Sequence, residues 1–445
     1  MQPIQSPAET FTFRSYSFDR ATGEAEFVYA IDDIELVDRM TFPLLATGIP
    51  EGADVALDRA LFALHIITGT SYYKAKLPKK IVIESGKLTK DEATFWDKLY
   101  TLGLGEFFFQ NDLDFRDYIH FPFEDGERVT GSFSGEGAFV MIGGGKDSLV
   151  AIEMLCAAEK SVELSWVGKN SRIREVADAV GAPYTVIDRQ IDPKIIELNK
   201  QGAWNGHIPI TAVISFAEVV LAILHGKRDV IFSNERSANI GNVVVDGIEI
   251  NHQYSKSLES ERDLQEYLTS SISPDIRVFS LLRPLSELDV ARRFAAFGKY
   301  FNVFSSCNAN FRKFKTPIIT RWCGKCPKCT FVFAILAAFI PRRKMIEMFG
   351  EDVFMNEALL PMYKDLLGCG VMKPFECVGE PEEVIAAFGL IHGRGEYEDS
   401  PILKWVEREV LAGRKNIDGL ITHALTLSPE HAMPQEYADI VYASR

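Results

Sequence analysis

The sequence predicts an α/β protein with a parallel sheet covered by helices, an α+β region before the sheet and a helical region after it. Strand-like and helix-like segments alternate between about residues 135 and 235, which is typical of a parallel sheet with helices on both faces. Aromatic and polar side chains alternate near the N-terminus, and the segments after residue 345 have helical periodicity. We therefore predict three domains, over residues 1–134, 135–345 and 346–445.

The composition limits the class of protein. Of the 445 residues, 47% are hydrophobic and 25% are charged, as in ordinary globular proteins. We expect a cytoplasmic protein that does not contact a membrane, because the sequence has neither a long apolar run nor the features of a secretory signal. The formal net charge of −14 disfavours a nucleic-acid partner, since a polyanion would be repelled.

The N-terminal region is predicted to begin with a β-hairpin. Residues 11–18 alternate aromatic and polar side chains, residues 19–23 suit a turn, and residues 25–31 would form the returning strand. Helical periodicity follows over residues 54–67, and Thr89 is suited to begin another helix with acidic residues in its first turn. Our hypothesis is that this domain recognises the substrate.

A glycine-rich stretch follows the first strand of the alternating region, predicted at residues 137–140, and precedes apolar residues at helical spacing. The stretch consists of Gly143, Gly144, Gly145, Lys146, Asp147 and Ser148. Glycines let the backbone approach a ligand closely, and the first turn of a helix offers unpaired N–H groups and a positive dipole end. The stretch is therefore predicted to bind phosphate, although an ordinary glycine turn is the simpler alternative.

Two common phosphate-binding motifs do not match this stretch. A Walker A loop would need glycine where Val140 stands, and Ser or Thr where Asp147 stands. The dinucleotide fingerprint would need its third glycine three residues after the second, whereas the three glycines here are consecutive. The ligand is therefore predicted to be a phosphate held by a different kind of loop.

Further strands and helices are predicted at residues 162–167, 172–180, 184–187, 210–224 and 229–233. In parallel sheets, ligands bind beyond the carboxyl ends of the strands. Gly168 follows the second strand of this region, and Asn234 and Glu235 follow the fourth. We therefore expect these residues beside the bound phosphates, although a solvated loop is the alternative for the polar stretch after residue 233.

Four cysteines have the spacing of a metal site. Cys323, Cys326 and Cys329 form a CxxCxxC motif, and Cys307 stands sixteen residues upstream of its first cysteine. Four thiolates complete a tetrahedral zinc site and leave no open position for catalysis, so we predict a structural Zn²⁺. Iron–sulfur ligation and metal-free thiols are the alternatives.

The glycine-rich stretch resembles the PP-loop of the ATP pyrophosphatase superfamily, whose pattern is Ser/Gly-Gly-Gly-Lys/x-Asp-Ser. The resemblance implies a Rossmann-like sheet of the adenine nucleotide α-hydrolase type, binding of ATP, and transfer of AMP to an oxygen atom of the substrate. It implies that residues 143–148 hold the phosphates and that Mg²⁺ bridges them, with Asp147 orienting the ion or the loop. Gly168, Asn234 and Glu235 would complete this cofactor site.

The order of motifs along the chain is similar to that in the glutamate epimerase family of peptidoglycan precursor synthesis. The shared features are the N-terminal hairpin, the PP-loop, residues 205–209, 233–242 and 252–257, and the cysteine cluster. Members invert the terminal L-glutamate of UDP-N-acetylmuramoyl-L-alanyl-L-glutamate. The resemblance therefore implies a UDP-sugar-peptide substrate, use of ATP and Mg²⁺, release of AMP and pyrophosphate, and a partner ligase that adds L-glutamate.

Adenylation would make inversion feasible, because it removes the negative charge that opposes loss of the neighbouring proton. We select candidate residues for this chemistry as hypotheses. The catalytic candidates are Lys146, Asp147, His252, Tyr254 and Lys256, with His207 as a further acid–base candidate. The candidates for substrate contacts are Arg236, which could bind a carboxylate, Asn239 and His207.

Two functions of other classes remain open. A PP-loop ligase that uses ammonia, such as a 7-deazaguanine nitrile synthase, has a similar cysteine cluster with a shorter gap after its first cysteine. Such an enzyme would incorporate ammonia into its product. A metal-stabilised nucleotide-binding module without turnover would release no pyrophosphate with any candidate acid.

Overall fold

The computed structural model describes residues 1–127, 130–310 and 320–444. The strands are β1 (Gln2–Pro3), β2 (Thr10–Phe18), β3 (Glu24–Ile31), β4 (Ile34–Thr41), β5 (Lys80–Ile83), β6 (Leu113–Asp114), β7 (Ala138–Met141), β8 (Glu163–Val167), β9 (Tyr184–Gln190), β10 (Asp229–Phe232), β11 (Val243–Val245), β12 (Ile248–Ile250) and β13 (Arg277–Ser280).

The helices alternate with the strands in the middle of the chain and follow one another after residue 326. They are α1 (Asp54–Thr68), α2 (Thr70–Tyr73), α3 (Lys90–Gly103), α4 (Gly105–Gln110), α5 (Lys146–Ala157), α6 (Ser171–Val180), α7 (Lys194–Lys200), α8 (Ile210–Leu224), α9 (Leu258–Ser271), α10 (Glu287–Phe294), α11 (Pro327–Ala337), α12 (Arg342–Phe349), α13 (Leu360–Leu366), α14 (Pro381–Arg394), α15 (Pro401–Val406), α16 (Ile417–Leu425) and α17 (Gln435–Ala443).

One large sheet organises the molecule. Its strand order is β13-β10-β7-β8-β9-β4-β3-β2-β5, and neighbouring strands from β13 to β9 are parallel. The predicted mixed α/β class, with a largely parallel sheet and a helical C-terminal region, is therefore confirmed. In chain order the five parallel strands lie as 3-2-1-4-5, so the strand order reverses between β7 and β10. A crevice at such a reversal is where open α/β sheets bind ligands.

The predicted N-terminal hairpin is present as β2 and β3, and the structure adds β4 to it. β4 pairs antiparallel with β9, so the N-terminal strands continue the parallel sheet. No strand was predicted at β4, because charged residues such as Asp38 interrupt its apolar pattern, although Asp38 is fully buried in the structure. The predicted domain boundaries themselves stay predictions.

Local signals for helix ends hold in the structure. Thr89 accepts a hydrogen bond from Glu92 N, and the Glu92 side chain bonds back to Thr89 N, which completes a capping box at the start of α3. Gly181 ends α6 at φ +77°, and Ser286 caps α10 by accepting from Asp289 N. Among the helices of the described residues, none has the length and apolarity needed to cross a bilayer.

A buried ion pair holds β4 against β9. Arg189 donates from Nε to Asp38 Oδ1 at 3.1 Å and from Nη2 to Asp38 Oδ2 at 2.8 Å. Its Nη2 also donates to Ser71 Oγ, and Tyr72 OH donates to Asp38 Oδ2. The Arg189 and Asp38 side chains are 3% and 0% exposed, so each charge depends on its partner rather than on water.

Replacing Arg189 with alanine is expected to lower the free energy of unfolding by about 3 kcal/mol, because the Asp38 carboxylate would stay buried without its counter-ion. Urea denaturation of the two proteins would measure this difference. Arg39→Ala is the matched control, since Arg39 lies beside Asp38 on β4 but its pair with Glu26 is largely exposed. The Arg39→Ala change should lower the free energy of unfolding by no more than about 1 kcal/mol. Equal effects of the two changes would contradict the claim that the buried ion pair stabilises the contact between β4 and β9.

Candidate active site

The glycine-rich loop joins β7 to α5 at the point where the strand order reverses. Gly144 has φ +81°, a left-handed conformation that favours glycine. Its carbonyl accepts a hydrogen bond from Ser305 N at 2.9 Å, and a Cβ at Gly145 would lie 2.8 Å from Ser306 Oγ. The loop is therefore packed closely against the segment that leads to Cys307, and the first turn of α5 follows it directly.

Lys146 is held between two carboxylates. Its ammonium group, 1% exposed, contacts Asp147 Oδ1 and Glu287 Oε2. Burial by itself would lower the pKa of Lys146, but the charges of Asp147 and Glu287 raise it above its usual value. Burial likewise opposes ionisation of Asp147, yet the neighbouring Lys146 and Lys328 keep its pKa below the usual value. The site thus contains fixed charges of both signs beside the glycine loop.

Glu235 and Asn234 follow β10, next to the glycine loop. Burial, then the charges of Glu287 and Asp147, raise the pKa of Glu235 to about 7. Its Oε1 atom has no hydrogen-bond partner among the described residues. Asn234 Nδ2 donates to Ser280 Oγ at 2.9 Å, which fixes this turn to β13. Carboxylates at this position are the oxygen ligands that Mg²⁺ prefers, so Asp147 and Glu235 fit the predicted ion.

A second group of side chains adjoins the first through Lys328. The Lys328 ammonium contacts the Cys377 carbonyl and lies 3.7 Å from Glu287 Oε1. Lys256 Nζ donates to Cys377 Sγ at 3.1 Å. Burial raises the pKa of the Cys377 thiol, but the Lys256 charge and a hydrogen bond from His252 lower it more, to about 5. The positive charges of Lys256 and His252 therefore favour the thiolate form of Cys377.

Two histidines share one carboxylate on the other side of this thiolate. His252 Nδ1 lies 2.5 Å from Glu106 Oε2, and His207 Nδ1 lies 3.5 Å from the same oxygen. Burial lowers the pKa of His252, but hydrogen bonds to Cys377 and Glu106 raise it to about 9. Burial and the nearby His252 charge lower the pKa of His207 to about 3. One ring is therefore charged and the other neutral near pH 7.

Other selected residues have contacts or positions of their own. Tyr254 and Asn239 line a separate cavity of about 480 Å³, and Asn239 Oδ1 accepts from Leu258 N at 2.8 Å. Burial, then the charges of Asp263 and Glu259, raise the pKa of Tyr254 above its usual value. Arg236 donates to the carbonyls of residues 423, 424 and 426, at the end of α16. Gly168 follows β8 at φ +98°.

The four cysteines of the predicted metal site converge. Their Sγ atoms all lie within 4.8 Å of one another, and Cys323 Sγ is 3.7 Å from Cys329 Sγ. Zinc–sulfur bonds of about 2.3 Å in a tetrahedron place neighbouring sulfurs about 3.8 Å apart, so the arrangement fits Zn²⁺. Cys326 also caps α11 by accepting from Cys329 N. A metal here would fix the start of α11, and with it Lys328.

Sequence reasoning did not select Glu106, Glu287, Lys328 or Cys377. Glu287 directly follows Ser286 and Lys328 stands within the CxxCxxC motif, but neither residue has a motif of its own. The four cysteines with metal-ligand spacing were assigned to a metal site, and Cys377 was not considered. Its only local signal is a cysteine in a loop that follows Pro374 and precedes Gly379.

Known proteins resemble this chain over most of its length. Residues 4–281 match the family model described as the MurL N-terminal domain, and residues 303–418 match the model described as the MurL C-terminal domain. A protein of Xanthomonas oryzae pv. oryzae named UDP-N-acetyl-alpha-D-muramoyl-L-alanyl-L-glutamate epimerase is 39% identical over 428 residues, covering 96% of this chain and 95% of that protein. Proteins with the same name from Salinispora tropica and a Micromonospora species are 40% and 39% identical, and each match covers 89% of this chain.

Proposed function

The chain belongs to the MurL family, and we propose that it inverts the terminal L-glutamate of UDP-N-acetylmuramoyl-L-alanyl-L-glutamate to D-glutamate. The observation that carries this proposal is the similarity to relatives named for that epimerisation, which covers 89% to 96% of the chain. The substrate would be a UDP-sugar peptide, and a ligase that adds L-glutamate would supply it. The acidic net charge is consistent with a small-molecule substrate rather than a nucleic acid.

We propose that the reaction begins by joining AMP to the α-carboxylate of the glutamate, with release of pyrophosphate. The loop at residues 143–148 would be a PP-loop on a Rossmann-like sheet, and its position at the strand-order reversal supports this role. The backbone N–H groups at the start of α5 and the Lys146 ammonium would bind the phosphates of ATP. When bound, Mg²⁺ would neutralise charge on the leaving pyrophosphate, and Asp147 and Glu235 are suited to hold it.

Activation explains how an unreactive proton could be removed. A free α-carboxylate resists loss of the adjacent proton, because two negative charges would then be neighbours. The acyl adenylate lacks that charge, and its carbonyl oxygen can accept the electron pair as an enolate. Return of a proton to the opposite face would invert the carbon, and water would then release AMP. Of the acid–base candidates, His252, Lys256 and His207 lie in the charged site, whereas Tyr254 lines the separate cavity.

We also propose that Cys307, Cys323, Cys326 and Cys329 bind a structural Zn²⁺. The convergence of their four sulfur atoms supports this assignment. With four sulfur ligands the ion would have no open position for substrate, so its contribution would be to fix the loop before α11. That loop places Lys328 between Cys326 and Cys329, next to Glu287.

The test of the proposed function is incubation with ATP, Mg²⁺ and the UDP-muramoyl dipeptide in D₂O. We expect AMP and pyrophosphate, D-glutamate by chiral analysis after hydrolysis, and one deuterium at the glutamate α-carbon. A protein heated beforehand controls for uncatalysed exchange. Release of AMP with incorporation of ammonia would instead identify a PP-loop ligase. Absence of pyrophosphate together with unchanged L-glutamate would contradict the proposed epimerase.

A further inference from the structure

We propose that the sulfur atom of Cys377 takes the α-proton from the activated glutamate. This inference rests on the proposed function and names a proton carrier for its inversion step. Cys377 is outside the cysteine cluster, and its side chain is half-buried rather than sealed in the core. A cysteine that is only partly buried and lies beside positively charged side chains has the surroundings of a reactive thiol rather than of a structural one.

The position of the sulfur is fixed by contacts from several elements. Lys256 donates to Cys377 Sγ at 3.1 Å, and the Lys328 ammonium contacts the Cys377 carbonyl. The preceding residue, Glu376, accepts a hydrogen bond from Asn308 Nδ2. Asn242 Nδ2 donates to Pro374 O at 2.6 Å in the same loop. The loop is thus held from both sides, which orients the sulfur before any substrate arrives.

A short chain of contacts connects the backbone of Cys377 to the glycine loop. Lys328 contacts both Cys377 and Glu287, and Glu287 contacts Lys146 at the start of α5. Only two side chains therefore separate Cys377 from the lysine that we assign to the phosphates. The α-carbon of a carboxylate activated at those phosphates is bonded to the acyl carbon, so the proton to be removed would lie close to the phosphate site that these contacts border.

The surroundings keep the sulfur in the form that accepts a proton. Lys256, His252 and Lys328 place positive charge around it, and these charges outweigh the effect of burial and keep the pKa of Cys377 below its usual value. Glu106 supports the arrangement by accepting from His252, so the imidazole remains charged beside the sulfur. A purely structural thiol in an apolar site would have a raised pKa instead.

The step balances without an oxidant or reductant. The sulfur–hydrogen bond forms as the α-carbon–hydrogen bond breaks, and the electron pair moves to the carbonyl oxygen of the acyl adenylate. Water, or an acid in exchange with water, returns a proton to the opposite face of the carbon. The Cys377 thiol then loses its proton to solvent, which restores the thiolate. The substrate thus loses one proton and gains one.

Cys377→Ala separates this step from activation. We expect the variant to release AMP and pyrophosphate from ATP and the UDP-muramoyl dipeptide within a few-fold of the unchanged protein. Deuterium incorporation at the α-carbon should fall by about 10²- to 10⁴-fold, and the glutamate recovered should remain L. Cys369→Ser is the matched control, because Cys369 is an exposed cysteine nearby in sequence. This variant should change neither the release of AMP and pyrophosphate nor the incorporation of deuterium.

Each outcome decides between specific explanations. Deuterium exchange by Cys377→Ala at the normal rate would overturn the proposal, and so would an acyl group found on Cys377 by mass spectrometry, since that would make it a nucleophile. Failure of the unchanged protein to form AMP would overturn the proposed function instead. If the alanine variant does not fold, alkylation of the unchanged protein provides the test. Iodoacetamide at pH 6 should modify Cys377 faster than Cys369, and equal rates would contradict the proposal.

Discussion

Lys146→Ala is expected to abolish AMP formation from ATP and the UDP-muramoyl dipeptide. The Lys146 ammonium is buried at the start of α5, beside the glycine loop, and it is the charge that we assign to the phosphates of ATP. Loss of a preorganised charge that stabilises a transferring phosphoryl group typically costs about 10²- to 10³-fold. The loss here should be larger, because the Asp147 and Glu287 carboxylates would remain and repel the phosphates. Separation of nucleotides after incubation would measure AMP directly.

Two further variants separate catalysis from folding. Lys344→Ala removes an exposed lysine on α12 and should leave AMP formation unchanged. Lys146→Arg keeps the positive charge between Asp147 and Glu287, so it should fold, but its planar guanidinium cannot replace a compact ammonium and activity should remain low. Unimpaired release of AMP by Lys146→Ala would rule out the PP-loop assignment.

Cys329→Ser should remove bound zinc and destabilise the C-terminal half of the protein. Cys329 is fully buried, and its sulfur lies 3.7 Å from that of Cys323. Zinc bound by four thiolates contributes about 10 kcal/mol or more in small metal-dependent domains, so we expect a loss of at least about 5 kcal/mol here. Metal analysis of the purified protein should give one zinc per chain before the change and none after it. Thermal unfolding would report the loss of stability independently of activity.

The control for this change is Cys156→Ser, because Cys156 is an exposed cysteine that does not belong to the cluster. It should leave both metal content and unfolding temperature unchanged. Chelation of the unchanged protein should produce the same loss of stability as Cys329→Ser. If the purified protein contains no metal, and if neither chelation nor Cys329→Ser changes its stability, these four thiols are metal-free. Iron in place of zinc would instead favour an iron–sulfur site.

Much of the fold could be predicted because its signals are local. The order of strand, glycine turn and helix around Gly144 is encoded within about twenty residues, and Thr89, Gly181 and Ser286 mark helix ends by their own side chains or backbone preferences. The strand β4 was missed because Asp38 breaks the apolar pattern of a buried strand. Its partner Arg189 lies 151 positions away, so no local pattern could show that this charge is neutralised.

Some residues of the candidate site could be selected from the local sequence, and others could not. The glycine loop and the four cysteines were selected by spacing, and the structure brings each set together as expected. Arg236 was selected for its charge, yet its guanidinium donates to carbonyls at the end of α16. Such a contact depends on how a distant helix packs, which the sequence around Arg236 does not encode. The roles of these residues toward ATP and substrate stay predictions.

The sequence by itself determined the α/β class, the glycine loop between a strand and a helix, and the spacing of the cysteine cluster, because each is fixed by residue types at short spacing. Only the tertiary structure decided which charges surround that loop. Glu287 meets Lys146 from 141 positions away, and Lys256 meets Cys377 from 121 positions away. These side chains are brought together when the sheet and the C-terminal helices pack, and burial among opposite charges then sets their protonation. The protonation of these side chains therefore depends on long-range packing, whereas the glycine loop depends on local sequence.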